Sequence, residues 1–184
     1  YLICKYLIYK EPLLFLKAYN KYMYLMKLES SIINYLVENK ITVGTAESCT
    51  GGLLAAAFTS YPGVSTIYQN GMITYSDDAK SKFLKVSPET LRRNGAVSRQ
   101  VCAQMCFNLA KISKCQLTLS TTGVAGPGGG TKAKPVGLVY SGVYYQKIIY
   151  VKKLQFSSNL SRLQIQKGTV KECFLMIKEI MDGL

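Results

Sequence analysis

Residues 46–52 read Ala46-Glu47-Ser48-Cys49-Thr50-Gly51-Gly52 and separate two short runs of opposite periodicity. Before them stands a β-type run beginning at Ile41; after them comes a small-residue helical run from Leu53 to Phe58. The heptapeptide therefore reads as a turn from a strand into a helix. A helix that starts there points unpaired N–H groups into the turn, where they suit a phosphate or a developing oxyanion. Two adjacent glycines let a ligand come close to the backbone. Ser48, Cys49 and Thr50 add three candidate nucleophiles or proton carriers. We read the turn as an active site with Ser48 as nucleophile. The plainer alternative, an ordinary strand–helix turn with a Ser or Thr cap, fits the seven residues equally well.

The rest of the chain alternates in the same manner. Ser30 or Ser31 caps a helix carrying Ile32, Ile33, Leu36 and Val37, and a strand over 41–47 follows. A helix to about residue 61 is broken by Pro62-Gly63. A β segment over 67–75 carries an irregularity at Gln69-Asn70-Gly71. Ser76-Asp77-Asp78 caps a short helix, and Ser87-Pro88-Glu89 opens another. Ser98 caps a longer one through Ile112. An alternating strand over 115–121 leads to a glycine-rich turn over 122–130. Two strands, 136–145 and 147–156, form a hairpin, and a helix runs from about 159 to 182 with Gly168 as a weak point. This order predicts an α/β fold: a single-domain layered sandwich whose mixed β-sheet is flanked by helices.

Composition narrows the chemistry. The 184 residues, 48% hydrophobic, suit one domain with a real core. Residues 1–26 differ in character from the rest, being rich in Tyr, Leu and Lys. Lysines interrupt every apolar run there, so no transmembrane span or secretory signal fits. We expect an N-terminal extension over 1–26, with an amphipathic helix that docks on the domain or on a partner as the alternative, and a working domain over 27–184. The formal charge is +13, but the basic residues are scattered, which makes nucleic acid an unlikely partner. Histidine is absent. That excludes Ser-His-Asp and Cys-His catalysis and any imidazole metal site. A base must then be Lys, Tyr, a carboxylate, Cys or water, and a lysine serves if burial lowers its pKa. None of the six cysteines forms a C-x-x-C pair. Cys102 and Cys106 share a helix face as small buried hydrophobes, and the cysteine usage fits a reducing compartment.

Five blocks in order carry a more specific signal: Thr45 to Gly52, Ile73-Thr74-Tyr75-Ser76-Asp77-Asp78-Ala79-Lys80, Gly95-Ala96-Val97-Ser98, Thr122 to Gly129, and Lys134-Pro135-Val136-Gly137. Together they resemble the CinA C-terminal domain family, the nicotinamide-nucleotide amidohydrolases, from about Leu28 to the C-terminus. The resemblance implies hydrolysis of the carboxamide of nicotinamide mononucleotide to nicotinate mononucleotide and ammonia. It implies a cytoplasmic bacterial enzyme of pyridine-nucleotide salvage in a stand-alone form, a homo-oligomer with no cofactor, no metal and no membrane association.

Residue by residue, the resemblance places Ser48 as nucleophile and Tyr75 and Lys80 as its catalytic partners. Whether Lys80 or Tyr75 takes the serine proton stays open. Around the substrate it places Glu47, Cys49, Thr50, Gly51 and Gly52 from the first turn. Thr122, Gly123, Ala125, Gly126 and Gly128 come from the second. Which turn holds the phosphate and which the oxyanion also stays open. Cys49 is read as packing rather than as the nucleophile. The chain departs from the family after the last strand, where relatives show Phe-x-Gly-Asp-Arg followed by another Arg. Here Phe156-Ser157-Ser158-Asn159-Leu160-Ser161-Arg162 lacks the Gly, the acid and the first Arg, and Arg162 lies one or two positions away from the missing arginine. Two alternatives to the enzyme are a nucleotide-binding module without turnover and a nucleic-acid-associated, competence-linked protein.

Overall fold

A five-stranded sheet brings the motif-bearing turns of the sequence to one end. The computed structural model describes residues 27–183, so the expected extension over 1–26 lies outside the described residues. Helix α1 covers 27–38. It is followed by β1 (Val43–Glu47), α2 (Leu53–Thr59), a single 3₁₀ turn (Val64–Thr66), β2 (Tyr68–Ile73), α3 (Asp77–Leu84) and α4 (Pro88–Asn94). The remainder is α5 (Arg99–Ser113), β3 (Leu117–Gly123), β4 (Leu138–Tyr145), β5 (Ile148–Gln155) and α6 (Arg162–Gly183). The strand order is β2-β1-β3-β4-β5; β2, β1 and β3 run parallel, whereas β4 pairs antiparallel with both β3 and β5, so the sheet is mixed as the alternation predicts.

The helices cover both faces. On one, Ile33, Leu36, Leu54, Phe58, Phe174 and Ile177 from α1, α2 and α6 pack on Val43, Leu117, Leu119 and Val143. The rings of Phe58 and Phe174 stack there with centroids 4.9 Å apart. On the other, Leu84, Val86, Leu91, Val101, Met105 and Leu109 from the α3–α5 region pack on Ala46. The period of two in β3 divides its side chains between these layers. Leu117 and Leu119 join the first core, while Thr118 and Ser120 turn to α5 and donate to the Cys106 and Cys102 carbonyls, each at 2.8 Å. Cys102 and Cys106 do share a buried helix face, but the face is a polar seam as much as an apolar one. The Cys106 thiol donates in turn to the Thr118 carbonyl at 3.0 Å.

Three of the predicted serine caps are present, but Ser30 and Ser31 lie inside α1, which is already helical at Lys27, and the Ser30 hydroxyl donates to the Lys27 carbonyl instead of capping. Ser76, Ser87 and Ser98 each accept from the backbone N–H three residues on, opening α3, α4 and α5. Strand limits shift for identifiable reasons. The first strand starts at Val43, not 41, because Ile41 N–H returns to the Leu36 carbonyl and Thr42 N–H goes to the Gln116 side chain. The second ends at Ile73, not 75, because the carbonyls of Thr74 and Tyr75 are taken by Lys80. The irregularity around Asn70 is a register slip: Val43 pairs with Tyr68, but Gly44 pairs with Asn70. Gly168 proves to be a packing position. Helix α6 runs through it unbroken, and a Cβ there would stand 2.8 Å from Cε1 of Phe156. Among the described residues, no helix is long and apolar enough to cross a membrane.

Strand order places the site. From β1 the chain crosses to β2 on one side, and later to β3 on the other. The carboxyl ends of these three parallel strands therefore open a crevice at a switch point, where α/β sheets bind ligands. The register sets Glu47 beside Ile73 in β2 and beside Thr121 in β3. Ser48 and Thr74, the first residues beyond β1 and β2, consequently stand level with Thr122, which is still paired to β4.

Candidate active site

Ser48 is the first residue beyond β1. Its N–H still donates to the Thr121 carbonyl at 3.0 Å, so the sheet ladder holds the backbone that presents its hydroxyl. Lys80, 32 residues on, sits in the first turns of α3 and is turned inward, 1% exposed. Its Nζ lies 3.2 Å from Ser48 Oγ, 2.9 Å from the Thr74 carbonyl and 3.0 Å from the Tyr75 carbonyl. The Ser76 carbonyl is more distant, at 3.5 Å. A neutral amine has two N–H donors and one lone pair. The two near carbonyls can accept both donors, which leaves the lone pair for the Ser48 hydroxyl. Burial pushes the Lys80 ammonium below its ordinary value, opposed by the nearby Asp77 and Cys49. Desolvation favours the neutral amine, the form a base requires.

Ser48, Tyr75 and Lys80 line one cleft of about 280 Å³, at the small end of ligand pockets. Cys49, Thr122, Gly123, Ala125, Gly126 and Gly128 border the same cleft. The expected residues are thus brought together in large part. Thr122 uses its hydroxyl proton on the Ala96 carbonyl at 2.9 Å, which fastens the loop before α5 to β3. Cys49 is 4% exposed, and burial pushes its thiol up to about 12, so it packs as a neutral thiol among Ala125, Val139 and Ile165. The Tyr75 ring, by contrast, is 62% exposed. Its hydroxyl accepts from Nη2 of Arg162 at 2.7 Å.

One expectation is overturned. The start of α2 is not an open cradle for phosphate or oxyanion, because the Glu47 carboxylate fills it. Glu47, 1% exposed, accepts from the N–H groups of Gly52 (2.9 Å), Leu54 (3.1 Å) and Ala55 (2.8 Å), and from the Thr50 hydroxyl (2.6 Å). Strand β1 aims this carboxylate at the helix end, where the orphan N–H groups and the dipole favour a negative charge. Glu47, Thr50, Gly51 and Gly52 therefore support the turn from behind and do not border the cleft. The glycines permit this path: Gly51 and Gly52 have φ of 62° and 101°, in the left-handed region. The alternative of a Ser or Thr cap is not realised: Gly52 stands at the N-cap position and the Glu47 carboxylate takes the free N–H groups.

Arg162, Ala96, Val97, Val124 and Gly129 also border the cleft; Val124 and Gly129 belong to the second glycine-rich turn, which the sequence nominates as a whole, whereas it does not nominate Ala96 and Val97. Ala96 and Val97 lie in a block quoted above, and Gly129 closes the glycine-rich turn, so position in the motifs was an available signal. Arg162 was visible only as a neighbour of a missing arginine. It opens α6 and reaches across to donate from Nη1 to the Gly126 carbonyl at 2.9 Å. Gln166, one turn on, donates to the Cys49 carbonyl at 2.8 Å and holds the Ser48 turn from the α6 side.

Comparison with known proteins gives a consistent picture. The model of the CinA C-terminal domain matches residues 25–181. A relative from Clostridium novyi that bears the competence-damage inducible name is 47% identical over 137 residues, which are 74% of this chain and 33% of that protein. A relative of the same name from Clostridioides difficile is 46% identical over 139 residues. The chain spans about a third of the length of these curated relatives. Among solved structures, the competence/damage inducible protein CihA from Agrobacterium tumefaciens superimposes with a TM-score of 0.82 at 36% identity, covering 85% of this chain and 95% of that one. A CinA superfamily protein from Escherichia coli gives 0.80 at 28% identity, over 85% and 90% of the two chains.

Proposed function

Because the chain belongs to the CinA C-terminal domain family, we propose that it hydrolyses the carboxamide of nicotinamide mononucleotide, giving nicotinate mononucleotide and ammonia. The observation that carries this reading is the buried Lys80 amine 3.2 Å from Ser48 Oγ at the floor of a cleft, in a chain without histidine. A lysine desolvated in this manner meets the requirement for an activated serine.

In the proposed sequence, Ser48 Oγ attacks the amide carbon as its proton passes to the Lys80 lone pair. The carbonyl π electrons move to oxygen and form a tetrahedral oxyanion. As the C–N bond breaks, the Lys80 ammonium returns the proton to the amine, and ammonia leaves. A nicotinoyl ester on Ser48 remains. Water then attacks its carbonyl, losing a proton to Lys80, and collapse restores the Ser48 hydroxyl and releases the carboxylate. Two Lys80 N–H bonds, to the Thr74 and Tyr75 carbonyls, keep Nζ in place throughout. This assigns the base to Lys80 and leaves the Tyr75 phenol, paired with Arg162, to line the substrate side of the cleft. The N–H groups at the start of α2 serve neither charge of the substrate, since Glu47 holds them. The test is ammonia release from nicotinamide mononucleotide by the wild-type chain and by the Ser48→Ala and Lys80→Met variants.

A further inference from the structure

Among the described residues, the guanidinium that borders the cleft, Arg162, has no carboxylate partner. Arg162 donates to two neutral acceptors, the Gly126 carbonyl at 2.9 Å and the Tyr75 hydroxyl at 2.7 Å. Among the described residues no carboxylate forms an ion pair with it; the ion pairs found are Arg93–Glu89, Lys152 with Glu172 and Glu179, and Lys178–Asp182. The acid nearest in sequence to the nucleophile, Glu47, is buried behind the turn and committed to the α2 N-terminus. The other basic group of the cleft, Lys80, is held at Ser48 and the Thr74 and Tyr75 carbonyls. Arg162 also joins two walls, the β2–α3 connection through Tyr75 and the glycine-rich turn through Gly126. An arginine held by neutral groups keeps its full charge for a ligand, and its planar fork suits a phosphate.

We propose that Arg162 is the anion receptor of this cleft, taking the phosphate monoester of a mononucleotide whose amide lies at Ser48. The inference rests on the reading of the site as a nucleotide amidase and deepens it: Arg162 makes the cleft selective for phosphorylated pyridine amides. Arg162 reaches the cleft from the start of α6.

The test compares nicotinamide mononucleotide with nicotinamide riboside, which lacks the phosphate. Two measurements are made on the full chain: kcat/KM for each compound, and equilibrium binding of each by calorimetry in the Ser48→Ala background. Charge-assisted hydrogen bonds of this kind are worth roughly 10- to 100-fold in affinity. Arg162→Gln is expected to reduce the nucleotide-over-riboside ratio at least tenfold in both measurements, and Arg162→Lys to recover part of it. A ratio that stays within twofold of wild type, with both compounds weakened equally, overturns the proposal and leaves Arg162 as a brace between Tyr75 and Gly126. The two readings fail separately. Arg162-dependent phosphate preference in binding without turnover sustains the receptor and removes the amidase. Turnover without that preference does the reverse.

Discussion

Lys80 Nζ stands 3.2 Å from Ser48 Oγ, and both side chains are buried although they lie 32 residues apart. The contact depends on β1 and β2 being parallel neighbours, since this brings the residue after one strand to the helix after the other. Removing the amine leaves the serine with no base. Lys80→Met is expected to reduce kcat by about 10²–10⁴-fold, the usual contribution of general base catalysis. Lys80→Arg is expected not to rescue it, because a guanidinium stays protonated. Steady-state ammonia release checks both.

The depressed Lys80 pKa has a sign that can be measured twice. The proposed mechanism requires the neutral amine, so kcat/KM is expected to rise with pH through the folded-state pKa, which lies below 10.5. Stability moves in the same direction. Between the folded value and 10.5, the unfolded chain binds the Lys80 proton and the folded chain does not, so unfolding free energy increases with pH across that window. Below the folded value both states are protonated and the burial cost is fully present. Urea denaturation at a series of pH values is expected to show this slope in the wild type and a smaller slope in Lys80→Met.

Glu47 serves as the cap of α2, and its loss strands several buried donors. Glu47→Ala is expected to cost about 2–4 kcal/mol, given the penalty for unpaired buried groups and for a lost N-cap. Glu47→Gln keeps the shape but sets an amide NH₂ against backbone N–H groups, and is expected to fall between alanine and wild type. The midpoint of chemical denaturation ranks the three.

Gly51 and Gly52 differ in a way that substitution can reveal. A Cβ on Gly51 has only the Gln166 amide nitrogen at 3.9 Å, whereas one on Gly52 comes within 3.1 Å of Ile73 Cδ1 at a φ of 101°. Gly51→Ala is expected to cost about 1–2 kcal/mol from left-handed strain alone. Gly52→Ala is expected to cost more and to disturb Ser48 through the turn. Denaturation and kcat, measured on both variants, check the order.

Much of this was legible in the residues. Ser76, Ser87 and Ser98 announced three helices through their caps, and the alternation of apolar runs announced the mixed sheet. The five motif blocks marked most of the cleft, with Ser48, Tyr75 and Lys80 in order. What stayed hidden depends on partners distant in sequence or on the direction of a side chain. Glu47 read equally as a substrate contact or as a structural hydrogen-bonding group, because an acid at the end of a strand can face either the cleft or the helix behind it. Only the packed turn, with Thr50, Gly52, Leu54 and Ala55 all donating to it, decides between them. Arg162 is separated from Tyr75 by 87 residues, and no local pattern foretells that bond. The seam between α5 and β3 was half visible, as the spacing of Cys102 and Cys106. Its hydrogen bonds to Thr118 and Ser120 depend on the register of strand and helix.

The buried thiols offer a simple control on the choice of nucleophile. Burial pushes Cys49 and Cys106 up to about 12, and raises Cys102, Cys115 and Cys173 as well. A neutral buried thiol is a poor nucleophile. Alkylation of the folded chain at pH 8, followed by peptide mass mapping, is expected to leave these five unmodified. Rapid labelling of Cys49 with loss of activity would restore it as a competitor of Ser48.

The central claim is that Ser48, activated by Lys80, forms an ester with the acyl group of the substrate. Mass spectrometry of the intact chain, quenched in acid during turnover of nicotinamide mononucleotide, tests it most directly. A nicotinoyl adduct mapping to Ser48, absent in Ser48→Ala along with ammonia release, is the result expected. Undiminished ammonia release by Ser48→Ala would contradict it.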